Sequence, residues 1–148
     1  MRSALAFAFA LILSPVANAG VLVSNIAEPE RSTTTVDTSL WAAQSFINDG
    51  TTSTLVNIRS VVGDLLGGPA VTAELRAGSE TGTLLTTFST PSFTGAHSAR
   101  TFNPLSSVTL NPGMTYWFIL GVSGRGSVGW TYAEGNNQVG TGSLGNYS

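Results

Sequence analysis

The sequence predicts an all-β protein: an antiparallel β-sandwich, jelly-roll-like, preceded by a cleavable signal peptide. Three observations carry this. The segment Thr115 to Val122 (TYWFILGV) is apolar on both faces, with Tyr116, Phe118, Leu120 and Val122 on one side and Trp117 and Ile119 on the other. A strand of that kind is central and covered on both sides. Around it lie short β-prone runs about 8–12 residues apart, separated by Gly, Pro and Asn, the spacing of a sandwich or jelly roll. Outside the N-terminus, no window sustains a helical period.

Taken in order, residues 1–19 form a leader. Arg2 is a short positive region, Ala4 to Leu13 an apolar run, and Ala17-Asn18-Ala19 a small-x-small site that places cleavage between Ala19 and Gly20. The apolar run is shorter than the roughly 20 residues a membrane helix needs. Residues 20–148 are then one domain, expected to be truncated at the C-terminus. Val21 to Ile26 reads as a strand, Arg31 to Ser39 as a polar Thr-rich connection, and Trp41 to Ile47 as the next strand, closed by the turn Asn48-Asp49-Gly50. In Thr54 to Val62, Val56, Ile58 and Val62 are expected inward, with Asn57 and Arg59 outward. A loop from Gly63 to Pro69 follows.

Val71 to Ala77 alternates cleanly, with Val71, Ala73, Leu75 and Ala77 on one face and Thr72, Glu74 and Arg76 on the other, the pattern of a sheet with one wet side. Gly78 to Gly82 turns the chain into a strand over Thr83 to Ser89, and Ser98 to Phe102 is a weaker strand. Leu105 to Val122 is expected to be a central hairpin about Asn111-Pro112-Gly113. Val128 to Tyr132 alternates bulky and small residues. From Glu134 the chain is Gly- and Asn-rich, and no closing strand is expected before Ser148.

Composition narrows the function. There is no Cys, one His and no Lys, and only 9% of residues are charged, against an average of about 25%. Without the leader, five Arg face eight acidic residues, and no basic cluster offers a nucleic-acid or anionic-membrane footprint. A domain of this size folds without disulfides or metal.

Few constellations could carry chemistry. Gly140-Thr141-Gly142-Ser143-Leu144-Gly145 fits the letters of a dinucleotide motif, but the chain stops before the helix that would hold a pyrophosphate, so this reads as a flexible tail. His97 reads as a solvated loop residue; no G-x-S-x-G elbow accompanies it. Asp37, Asp49, Asp64 and Glu134 lie in or near loops, where paired carboxylates could act on glycosides, but Asp49 before Gly is a turn residue. Asp49, Glu134, Asn136 and Asn137 lack calcium-loop spacing. Catalytic residues, metal sites and cofactors are therefore expected to be absent. Asn146-Tyr147-Ser148 matches a glycosylation sequon without further support. The best local constellation for a carbohydrate is Trp130 and Tyr132 on one strand face beside Asn136 and Asn137. Core packing competes for those aromatics, and Trp41 and Trp117 are expected in the core.

Val23-Ser24-Asn25, Trp41 to Phe46, Leu75-Arg76 with Gly82-Thr83-Leu84-Leu85, Leu110 to Trp117 and Gly129-Trp130, in that order, resemble the choice-of-anchor domains (type R) of exported bacterial proteins. The likeness spans about Val21 to Tyr132. It implies a β-sandwich, export from a Gram-negative-type cell, an anchored fate at the surface or in extracellular matrix, and no catalytic residue. Such domains often carry a C-terminal PEP-CTERM signal processed by an exosortase. The Pro-Glu-Pro, apolar span and basic cluster of that signal are not found in this sequence. The expected function is a non-enzymatic exported domain with a structural or interaction role. Its partners are polysaccharide or other surface proteins, not nucleic acid, and a lectin-like carbohydrate-binding module is the alternative.

Overall fold

The computed structural model describes residues 32–66, 70–92, 96–132 and 143–147. The leader, the cleavage site at Ala19 and Gly20, the strand expected at Val21 to Ile26, and Glu134, Asn136 and Asn137 lie outside these residues. The described chain is all-β: β1 (Ser32–Val36), β2 (Ala42–Ile47), β3 (Ser53–Thr54), β4 (Ile58–Leu66), β5 (Ala70–Ala77), β6 (Thr83–Ser89), β7 (Ser98–Pro104), β8 (Thr109–Leu110), β9 (Thr115–Ser123), β10 (Ser127–Tyr132) and β11 (Ser143–Tyr147).

The strands pair as one long antiparallel ribbon. β5 joins β6 as its tip, and behind them β4 pairs β7, β3 pairs β8, β2 pairs β9 and β1 pairs β10. The ribbon then closes on itself through β4–β10 and β5–β9. The resulting order is β1-β10-β4-β7-β6-β5-β9-β2-β11, with β6 and β7 joined only through Phe88–Pro104 and Ser89–Asn103. Phe118 shows that this sheet folds over. Its ring meets Phe102 of β7 at 5.2 Å and Trp130 of β10 at 5.8 Å, both edge-on. β9 and β10 stand five strand steps apart in the order, about 24 Å if the sheet were flat. The four strands β1-β10-β4-β7 and the five strands β6-β5-β9-β2-β11 therefore face each other as two layers of a sandwich or flattened barrel.

The core lies between them, with Val36, Val62, Leu75, Phe102, Leu120 and Val128 each fully buried. Phe118 also meets Phe88 at 5.4 Å, and Phe46 stacks on Tyr116. A Phe so placed contributes about 3–5 kcal/mol against Ala. As the alternation in the sequence requires, Tyr116, Phe118 and Leu120 point into this core, while Trp117 and Ile119 join Ala43 in a second buried cluster on the outer face of β9.

Where the ribbon bends from β2/β9 towards β3/β8, Asn48 staples both legs. Its side-chain amide donates to Leu110 O (2.9 Å) and Thr51 O (3.0 Å), its Oδ1 accepts from Gly50 N, and its backbone carbonyl accepts from Gly113 N at 2.7 Å. Asn48 is 1% exposed. A neutral amide suits that burial, since it satisfies several partners without the cost of a buried charge. Beside it, the Tyr116 hydroxyl accepts the Asn111 N–H at 2.6 Å.

Several expectations need correction. Leu105 to Val122 is not a hairpin: β8 pairs β3, and Asn111-Pro112-Gly113 carries the chain around the corner instead. Arg31 to Ser39 contains β1; its β-branched Thr run favours an edge strand that needs little apolar surface. β4 continues to Leu66, into the expected loop, and Val56 precedes the strand and is 56% exposed. The tail supplies β11, which pairs β2 across a bulge. Pairing at an edge runs through main-chain groups, so a Gly- and Ser-containing segment can close a sheet without an apolar pattern.

Candidate binding groove

The outer face of each layer presents outward-pointing residues of its strands, and the two faces differ. On the β1-β10-β4-β7 layer, Gly63 and Gly129 are cross-strand partners and both point outward. The His97 ring occupies the space above them. A Cβ at Gly63 would stand 2.0 Å from His97 Cδ2 and 2.9 Å from its Cα, and one at Gly129 would stand 2.6 Å from Cε1. His97 Nδ1 and Thr131 Oγ1 are hydrogen-bonded at 2.7 Å, and Thr131 in turn to Thr33 at 3.2 Å. His97 is thus half-buried packing, not the solvated loop residue expected. A threonine hydroxyl stands where a nucleophilic relay would need a carboxylate.

On the outer face of the β6-β5-β9-β2-β11 layer, Ala43, Trp117 and Ile119 are buried, and the part beside Trp41 is exposed. Between the loop joining β1 to β2 and the hairpin joining β5 to β6 runs a shallow groove. One part, of about 240 Å³, is lined by Trp41, Thr72, Glu74, Arg76, Glu80, Thr81, Ile119 and Gly121. An adjoining hollow of about 360 Å³ runs along Asp37 to Leu40 and shares Trp41, Thr72 and Gly121. Trp41 therefore stands between the two. It is 58% exposed, against 9% for Trp117 and 5% for Trp130.

Both walls are held by specific bonds. Asp37 Oδ1 accepts from Ser39 N (2.7 Å), Ser39 Oγ (2.7 Å) and Leu40 N (2.9 Å), and Asp37 N donates to Leu40 O. The Ser39 hydroxyl above all, then the two N–H groups, hold the Asp37 carboxyl below its ordinary value of 3.8. This turn delivers the chain to Trp41. On the opposite wall, Arg76 Nε and Nη2 donate to Glu74 Oε2 at 2.9 and 2.8 Å, and Nη1 donates to Gly82 O at 3.0 Å. A bulge between Leu75 and Arg76 shifts the register there. Arg76 so ties the hairpin that carries Glu80 and Thr81 to the sheet. The floor is Ile119 and Gly121 of β9 with Thr72 of β5. On the same face the indole N–H of Trp117 is buried without a hydrogen-bond partner.

Of the three tryptophans, Trp117 is buried as expected and Trp130 follows the core-packing reading, while Trp41 departs from expectation. Trp130 is core, edge-on to Phe118, so its ring offers no stacking surface to a sugar. Its intended companions Asn136 and Asn137 lie outside the described residues, and of Tyr132 the backbone alone is described. Trp41 is the exposed indole, not a core residue. The signal that would have found it is the polar turn Asp37 to Ser39 just before it, which leaves Leu40 and Trp41 at the lip of a loop. Asp49 is exposed at the Asn48 corner, and the side chains of Asp64 and Glu134 are not among those described. Among the described residues no three His, Cys, Asp or Glu side chains gather to hold a metal, and no helix is long and apolar enough to cross a membrane. No family model, curated protein or solved structure matches the chain.

Proposed function

We propose that this chain is a non-catalytic, exported jelly-roll domain that acts by binding at the cell surface or in extracellular matrix, as a choice-of-anchor domain would. The jelly-roll reading is supported by the nested ribbon: among the first eight long strands, every successive strand changes layer except across the β5–β6 hairpin. Export is supported by Arg2, the apolar run from Ala4 and the Ala17-Asn18-Ala19 site. The observation that carries the binding role is the open groove at Trp41, with both walls held by hydrogen bonds and Trp41 mostly exposed. His97, spent on packing against Gly63 and Gly129, supports the non-catalytic reading.

The test is fractionation of a Gram-negative host expressing the full chain with a C-terminal tag. The expected result is tagged protein outside the inner membrane with Gly20 as its first residue. Uncleaved protein confined to the cytoplasm would overturn the export reading. Ester or glycoside hydrolysis that disappears in His97→Gln would overturn the non-catalytic one.

A further inference from the structure

We infer that the groove between the Asp37–Trp41 loop and the β5–β6 hairpin is a saccharide site that takes a neutral hexopyranose chain, with Trp41 as its stacking platform. This rests on the proposed binding role and names its ligand class.

The shape comes first. Enclosed pockets of about 300–1,000 Å³ suit compact ligands that are mostly buried on binding. Here two open hollows meet at Trp41, Thr72 and Gly121, so the site is elongated and suits successive units of a polymer lying across the sheet. Gly121 keeps the floor low at the junction, where a Cβ would already stand 3.0 Å from Thr72 Oγ1.

The chemistry comes second. The flat apolar face of a pyranose packs on an aromatic ring, and Trp41 offers the largest ring at little conformational cost. The hydroxyl edge of a sugar needs hydrogen-bond partners. Glu80, Thr72 and Thr81 supply them, together with the Glu74 oxygen that Arg76 does not engage.

Charge narrows the ligand further. Three carboxylates line the two hollows, those of Asp37, Glu74 and Glu80, against one cation. That cation, Arg76, already gives donors from each of its nitrogens to Glu74 and Gly82. The groove is therefore an acceptor-rich, negatively charged surface. It disfavours uronates, sulfated glycans and phosphates, and it fits a polyol that donates hydroxyl protons.

The test is affinity electrophoresis of the full chain through gels containing a mixed-linkage β-glucan, dextran, galactomannan or polygalacturonate. Melting curves for each variant check that folding is intact. The expected result is retardation by at least one neutral polysaccharide and none by polygalacturonate. Trp41→Ala should weaken the interaction at least about tenfold, as loss of a central Trp does at interfaces, while Trp41→Tyr keeps part of it. No retardation by any neutral polymer, equal retardation of wild type and Trp41→Ala, or preference for polygalacturonate would overturn the assignment. Failure here by a protein that reaches the cell surface leaves the export reading standing. Cytoplasmic retention with intact glucan binding does the reverse.

Discussion

The two outer faces use glycine in opposite ways. On one layer, Gly63 and Gly129 remove side chains from a cross-strand pair, and the chain fills the space with its own imidazole. On the other, Gly121 removes a side chain at the centre of the face, and the space stays open between two pinned loops with Trp41 above it. Sealing a face serves packing. On this face an indole is held in water beside a hollow that no side chain fills, which is the feature the proposed saccharide site uses. The difference places the packed histidine on one side of the sandwich and the exposed indole of Trp41 on the other.

The largest effect is expected where both faces hang on one frame. Asn48→Ala leaves the buried Leu110 carbonyl, and the part-buried Thr51 carbonyl, without their donor. Urea unfolding should show a loss of about 3 kcal/mol, with both faces failing in one transition. A loss under about 0.5 kcal/mol would mean that water replaces the amide and the corner is no staple. Gly63→Ala comes next. Its Cβ meets the His97 backbone as well as the ring, so the ring must leave, and destabilisation of about 1–3 kcal/mol is expected. Gly121→Ala sharpens the contrast: Thr72 Oγ1 can rotate away, so stability should change by less than about 1 kcal/mol while glucan affinity falls. Equal stability losses at Gly63 and Gly121 would erase the distinction between a filled face and an open one.

The smallest effect on global stability is expected at Asp37, whose side-chain bonds to Ser39 and Leu40 are at the solvent-exposed turn. Its pKa is lowered on folding, so its support for the turn is present above the ordinary value of 3.8 and is lost as pH falls through the lowered folded value. Acidification into that range should red-shift or broaden the emission of Trp41 before the core unfolds, and Asp37→Ala should abolish this early step. An early acid step that survives in Asp37→Ala would assign it to another group.

Much of the fold was legible because the buried strands must alternate. β5 and β9 show their faces directly, since Val71, Ala73 and Leu75, or Tyr116, Phe118 and Leu120, have to meet the same core. What escaped was edge and corner structure. β1 and β11 pair through main-chain groups and carry no apolar period. The apparent hairpin at Asn111 to Gly113 failed because a turn signal fixes local direction, not which strand is the partner. The site was only half legible. For Trp130 core packing competed with an exposed role, and it is core; Trp41, expected in the core, is the exposed indole. Both adjoin apolar runs, and what separates them is the Asp37 turn, a tertiary presentation that periodicity does not encode.

Of the three tryptophans, Trp41 alone faces water, while Trp117 and Trp130 are buried on opposite sides of the β9 layer. Acrylamide quenching of the native protein tests it most directly. The prediction is one readily quenched, red-emitting component that disappears in Trp41→Phe and leaves two shielded indoles. A quenched component that survives in Trp41→Phe, and is lost instead in Trp130→Phe, would contradict it.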